Sequence, residues 1–598
     1  MDPNQGQGSY PGQPPYAQPQ YPQPPYGQPA YGQPAYPPPP QAAVVPTGAN
    51  WAPGVYPMPV ATRSQRLRWG IVGAVVLTVA LVTAAGAFVL SGAAGAKSLT
   101  ASAAPKNALA FLEVRVDLPG DQRAKLADFM SHFPGFQDRA QFDNALDELL
   151  NRLTGSVSPD LSYTSAFKPW MEGEVSIAAM DIGTVTAGKT TALPTSVAIF
   201  ALKDRTAAEG WIAAELGRQK IVTTSQDYAG TVLFTTGSGA NAGAYAYAFT
   251  SQDLLVGTVR GVKAALDSKA GGSLADNANY QAAMDSLSGD SLARFYVDPR
   301  GLLSAEIDAA SAAGSKATFA AAAQDLPAWM AGSVRAESNR LVVSVAYPRT
   351  AATAAGNHVS RLASSVPGNA AAVFELHSAG KAITQALAAY AAQMPGDKTL
   401  QTIRGYLAQI GGVDWLGDGV AVVTKNGATI GGGVLVEAPD AATASAKVAS
   451  IANLVTLAGG TMKITASDET YKGSTITVIH IPASSQTGAT PIDIAVAAKG
   501  NLIVGGYSDA FVKAVLDTTA ATSLASQADY SAVMTAAGSS NQQSFYVNVA
   551  AVEDEIGRAL FGSRWTADYK PYFDHLGSVA GATVDGNTVI LRLVVMAK

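Results

Sequence analysis

The sequence has no cysteine among its 598 residues. That excludes a disulfide framework, a thiolate metal site and a lipidated-cysteine anchor. Charge is also scarce: 14% of residues are Asp, Glu, Lys or Arg, against roughly 25% in ordinary soluble domains. The five histidines (His132, His358, His377, His480 and His575) stand apart in the chain, with no H-E-x-x-H or other closely spaced pair. The sequence therefore predicts no metal centre, and nothing in it points to a bound cofactor. Nor does any nucleophile–base set or carboxylate pair stand out, so a catalytic site is not expected.

The first sixty residues lack what a core requires. They contain 18 of the 33 prolines and 7 of the 22 tyrosines, and Asp2 is the only charge before Arg63. Such a stretch cannot bury enough surface to offset its ordering entropy, so residues 1–62 are expected to form a disordered cytoplasmic tail. Its repeat PYGQPAYGQPAYPPPP, Pro25 to Pro40, favours polyproline II, a shape that aromatic-lined grooves recognise. A flexible spacer and a docking segment for a cytoplasmic partner are the two readings of this tail.

No charge occurs between Arg68 and Lys97, and Trp69–Leu90 is a continuous apolar run of 22 residues. At about 1.5 Å per residue, such a helix spans the roughly 30 Å hydrocarbon core. Arg63, Arg66 and Arg68 precede the run, which places the N-terminus in the cytoplasm and the remainder outside the cell membrane. Ala94-Gly95-Ala96 would suit a signal-peptide cleavage site, but the apolar run is too long and starts too late for a secretory signal. An uncleaved single-pass signal-anchor over 69–90 is the expectation. Setting aside Asp2 and the three arginines, residues 97–598 carry 37 basic and 44 acidic residues, a net charge of −7. That balance argues against nucleic acid as a partner.

The outer part reads as one unit used twice. SLADNANYQAAM (Ser273–Met284) aligns without a gap to SLASQADYSAVM (Ser523–Met534), with seven of twelve positions identical. Phe295-Tyr296-Val297 recurs as Phe545-Tyr546-Val547, Pro105–Val114 as Pro367–Leu376, and Tyr228-Ala229-Gly230 as Tyr471-Lys472-Gly473. The repeats are expected over residues 105–349 and 366–598. Leu109–Val116 alternates in strand fashion, while Asp121–Phe133 and Phe142–Leu153 carry apolar residues at helical spacing. Asp204 and Asp440 suit helix N-caps. The fold class expected is α+β: two tandem similar lobes with largely antiparallel sheets and packed helices, with a groove between the lobes as the binding place.

Gly183-TVTA-Gly188-Lys189-Thr190 matches the P-loop pattern, yet Pro194 and a second strand follow where the phosphate-binding helix should start. A hairpin tip is expected instead, and no bound nucleotide. Ser508 sits in a near-match to a nucleophile elbow and is better read as a helix N-cap. The recurring acids Glu113 and Glu375 are the candidate binding residues. Each lies on the less apolar face of its strand, as a cross-strand ion pair, a solvent-facing acid or a ligand contact. Trp170 and Trp415 recur as well and are expected to pack.

The run NALAFLEVRVDLPGDQRAKLADFMSHFPGF (Asn107–Phe136), followed by Lys168-Pro169-Trp170 and Gly173, resembles the uncharacterised family catalogued as domain of unknown function 3352. The resemblance covers about residues 100–598 and implies no established activity. It implies an envelope protein of actinobacterial type with a Pro/Gln/Tyr-rich tail and one transmembrane helix. The second copy has His377-Ser-Ala-Gly380 where the first has DLPGDQR, so a role for that loop would belong to the first repeat. The function expected is non-enzymatic binding or scaffolding at the cell envelope. A carrier or sensor of an apolar ligand such as a lipid is the alternative, and an envelope-polymer enzyme the third.

Overall fold

A computed structural model describes residues 98–598 apart from 119, 182–183, 187–188, 193, 238–242, 288, 311–325, 350–355, 394–396, 410, 428, 459–463 and 484–490. The expected tail (1–62) and apolar span (69–90) lie outside the described residues. Among the described residues, no helix is long and apolar enough to cross a membrane.

The first set of strands is β1 (Ala110–Arg115), β2 (Met171–Ala179), β3 (Thr184–Thr186), β4 (Lys189–Ala192), β5 (Ser196–Leu202) and β6 (Thr223–Tyr228). It continues with β7 (Thr231–Thr236), β8 (Tyr245–Phe249), β9 (Asp253–Thr258), β10 (Ala293–Val297), β11 (Met330–Glu337) and β12 (Arg340–Pro348). The second comprises β13 (His358–Val359), β14 (Ala370–Leu376), β15 (Gly419–Asn426), β16 (Thr429–Glu437), β17 (Thr465–Tyr471) and β18 (Ser474–Ile481). After these come β19 (Ile492–Lys499), β20 (Leu502–Gly506), β21 (Ser540–Asn541), β22 (Gln543–Asn548), β23 (Leu576–Val584) and β24 (Thr588–Ala597).

Twenty of these strands form one antiparallel sheet. From one edge its order is β6-β7-β8-β9-β5-β2-β1-β10-β11-β12, then β24-β23-β22-β14-β15-β16-β20-β19-β18-β17. Read outward from the middle, the two series of ten follow the same connectivity. They meet where β12 pairs with β24 over nine residue pairs, with Ser344 opposite Arg592 at the centre. The expected groove between lobes is thus occupied, along this seam, by a continuous ladder of backbone hydrogen bonds.

Helices cover both faces of the first series. Val114 of β1, Val175 of β2 and Phe200 of β5 pack with Leu126, Phe129, Phe142, Leu146 and Trp170 on one side. Phe111, Ala178, Val197 and Ile199 pack with Val262, Leu266, Leu274 and Tyr280 on the other. Burial crosses the seam too: Val549, Leu576 and Ala597 join the cluster around Trp170, and Val342 joins the main cluster of the second series.

Local signals explain the joints. Tyr228↔Thr231 and Tyr471↔Ser474 close two-residue hairpins, whose Ala229, Gly230, Lys472 and Gly473 all have positive φ. That is the type I′ geometry whose twist suits paired strands. Asp204 Oδ1 accepts from Ala207 N at 2.9 Å, and Asp440 Oδ1 from Thr443 N at 2.7 Å, as their N-cap positions predict. Ser508 occupies the N-cap of the helix Asp509–Asp517 without a side-chain capping bond. The P-loop match falls on β3 and β4, which pair through Thr186↔Lys189. Lys189 and Thr190 therefore open a strand rather than a helix; Gly183 and Gly188 lie outside the described residues.

Candidate functional site

Alternation along β1 puts Phe111, Glu113 and Arg115 on one face, which the sequence reads as the wetter one. The structure corrects this: Glu113 is 2% exposed, because a second helical layer covers that face. Across β1 and β2, Arg115 stands opposite Glu174. Its Nε lies 3.2 Å from Glu113 Oε1, and its Nη2 lies 2.7 Å from Glu174 Oε2. Burial and the neighbouring Glu174 charge push the Glu113 pKa up, while Arg115 and Arg294 pull it down; the net shift is upward.

Glu174 also secures the start of the described chain. It accepts hydrogen bonds from Ser98 Oγ (2.8 Å), Leu99 N (3.1 Å), Thr100 N (2.9 Å) and Thr100 Oγ1 (2.7 Å). Ala101, Ala103 and Ala104 are buried behind this strap. Pro105 then bridges to Ser273, as Pro367 does to Ser523 in the other series.

The second series reuses the position with different chemistry. Glu375 is 2% exposed, which likewise overturns its reading as a solvent-facing acid. His377 follows it by two residues, as Arg115 follows Glu113. Since Leu376 pairs with Gly419, His377 and Asp418 flank the end of the β14–β15 ladder, where Arg115 and Glu174 stand in the first series. The His377 ring stacks on His358 with centroids 4.0 Å apart and planes 19° from parallel. His358 Nε2 lies 2.6 Å from Asp418 Oδ2, and Asp418 Oδ1 accepts from Ser378 N at 3.0 Å. His377 Nδ1 lies 2.6 Å from the Asn541 carbonyl oxygen, and its Nε2 lies 3.3 Å from Glu375 Oε1. Burial works against charge on His377, but the Glu375 carboxylate outweighs it and the imidazole pKa is raised. The histidines that are isolated in the sequence are thus partly gathered: residues 19 apart become ring neighbours because β13 pairs with β21 beside the end of β14.

A cavity of about 540 Å³ opens in the first series. Val116, Leu118, Leu146, Leu150 and Met171 supply its apolar lining; Asp117, Arg123, Asp143, Asp147, Lys168, Glu172 and Lys203 supply charge. It forms where Val116, Asp117 and Leu118 leave the end of β1 and meet the helix Phe142–Val157. Gly173, at φ 97°, lets the chain pass Asp117: a Cβ there would come 2.4 Å from the Asp117 Cβ. Arg123 pairs with Asp143, and Lys168 with Asp147. Burial, helped by the charges of Asp147 and Asp117, pushes the Tyr163 phenol up to about 12, so its hydroxyl is a lasting donor. Trp170 packs, as expected, against Phe167, Phe200 and Trp211. Trp415 is half-buried, with Lys447 over its ring.

Sequence reading missed both the cavity and the histidine cluster. The one signal for the cavity was the DLPGDQR loop, which only the first copy has. Nothing in the local spacing of His358, His377 and Asp418 marks them as neighbours.

These features define an α+β protein organised on one large antiparallel sheet. The chain belongs to the family described as Protein of unknown function (DUF3352), whose model matches residues 71–595. No curated protein matches the chain. A solved structure, that of TP0453 in crystal form III, aligns over 39% of this chain and 92% of its own, with 9% identity and a TM-score of 0.22.

Proposed function

We propose that this is a non-catalytic, single-pass membrane protein whose duplicated outer part binds a small amphiphilic ligand in the cavity of its first repeat. The cavity carries the reading. Its volume falls in the ~300–1,000 Å³ range of small-molecule sites, and its lining is divided between five apolar side chains and seven charged ones. Its residues include no serine, threonine, cysteine or histidine among those described, and four of its seven charged residues are engaged in ion pairs with one another. Both facts favour holding a ligand over transforming it.

Membrane attachment rests on the run Trp69–Leu90 and the arginines before it. The family match begins at residue 71, inside that run, which supports treating the span as an integral part of the protein. The outer part then lies in the envelope, where a lipid or another envelope protein is the partner class, and the tail lies in the cytoplasm.

The test is native mass spectrometry of the full-length chain in detergent, comparing wild type with Lys168→Glu and Lys203→Glu. A retained small molecule that is lost in both variants is expected. Retention unchanged by either variant, or no retained ligand at all, overturns the reading. One stoichiometric crosslinked protein in place of a ligand would favour scaffolding.

A further inference from the structure

The two repeats solve one electrostatic problem in two ways. In the first, the buried carboxylates Glu113 and Glu174 share the Arg115 guanidinium. In the second, the carboxylates at the matching places, Glu375 and Asp418, are 2% and 4% exposed. Their ion-pair partners among the described residues are His377 and His358, with no lysine or arginine. Two buried carboxylates without a permanent cation carry a heavy desolvation cost unless it is offset.

The histidines are arranged to receive that cation. His377 points Nδ1 at the Asn541 carbonyl oxygen, so in the neutral ring Nδ1 donates there and the Nε2 lone pair is the one a metal would take. A backbone carbonyl behind one ring nitrogen is the outer support that fixes a metal-ligating imidazole. His377 is 1% exposed. Its Nε2 and the facing Glu375 Oε1 are both buried, 3.3 Å apart, and make no hydrogen bond to any other group among the described residues. Donor atoms of His358, His377 and Asp418 all lie within 4.8 Å of one another. Ligand atoms around one tetrahedral zinc stand about 3.4 Å apart, given metal–ligand distances of about 2.0–2.2 Å. Small side-chain rotations therefore bring these donors onto one ion.

We infer that His358, His377 and Asp418 bind one divalent transition-metal ion of the zinc type, with Glu375, 3.3 Å from His377 Nε2, as the neighbouring carboxylate. Two imidazoles and a carboxylate suit such an ion, and its double charge balances Asp418 and the neighbouring Glu375. The site is structural. It ties the segment bearing His358, which follows the connection between the repeats, onto the end of β14, as Glu174 ties Ser98–Thr100 in the first repeat. The His358 side chain is 34% exposed, against 6% or less for His377, Asp418 and Glu375, so the ion enters from its side.

Zinc content and affinity of the full-length protein in detergent test this, after stripping with chelator and reloading with zinc alone. One zinc per chain is expected, with a higher melting temperature than the stripped protein. His358→Ala, at the exposed ligand, should weaken binding by more than about 100-fold. His377→Arg installs the first repeat's solution and should abolish zinc binding while the protein stays folded without metal. Substoichiometric zinc in the wild type, or His358→Ala binding as tightly as wild type, overturns the inference. So does a melting temperature that zinc leaves unchanged.

Discussion

Arg115 and Glu174 face each other across β1 and β2 with 2.7 Å between Nη2 and Oε2, and the same carboxylate holds the backbone of Leu99 and Thr100. Glu174→Ala removes both attachments and takes one carboxylate partner from the buried Arg115 guanidinium. Breaking a buried pair in this way costs about 3–5 kcal/mol, to be measured by denaturation followed through tryptophan fluorescence. Residues 98–104 should become a site of rapid proteolysis in the variant. Cleavage there as slow as in the wild type would mean the strap is held by its buried alanines instead.

Asp253 yields a pH prediction. Burial pushes its carboxyl up to about 6 and the Thr250 hydroxyl pulls in the other direction, whereas an unfolded aspartate titrates near 3.9. The folded state thus binds the proton more tightly. The associated stability is fully present below about pH 4 and is lost as pH rises through about 6. Asn501 occupies the matching place in the second repeat and donates to Ala438 O, so Asp253→Asn should fold. The variant should gain about 1–3 kcal/mol on wild type between pH 4 and pH 7. Parallel stability–pH curves for the two proteins would refute this.

Phe295 lies over Gly332, its partner across β10 and β11, and Phe545 lies over Gly581 across β22 and β23. A Cβ on either glycine would come 2.2–2.3 Å from the ring. Gly332→Val and Gly581→Val should each cost about 1–3 kcal/mol through overpacking, read as a lower denaturation midpoint. A midpoint unchanged by either substitution would show that the rings swing aside freely.

The strands, N-caps and hairpins were legible because each depends on neighbours in sequence: Asp204 on Ala207, Tyr228 on Thr231. The recurrence of Ser273–Met284 likewise announced a shared connectivity. The burial of Glu113 was not legible. Period-two alternation tells which residues share a face, not whether a second layer covers that face, and here the helices bearing Val262 and Tyr280 cover it. The histidine cluster was hidden for a related reason. His358 and Asp418 meet through pairings of β13 with β21 and of β14 with β15, and such registers are set by the whole sheet.

The pairing of β12 with β24 has a consequence for assembly order. The central joint of a twenty-stranded sheet uses residues 588–597, so every other strand has been synthesised before the middle can close. Until then β12 presents Leu341, Val343 and Val345 along an open edge, a template for any passing strand. During synthesis that edge stays exposed for the whole time the second repeat takes to emerge. The interval before closure, more than the finished fold, is when this protein is most open to misassembly with a second copy of itself.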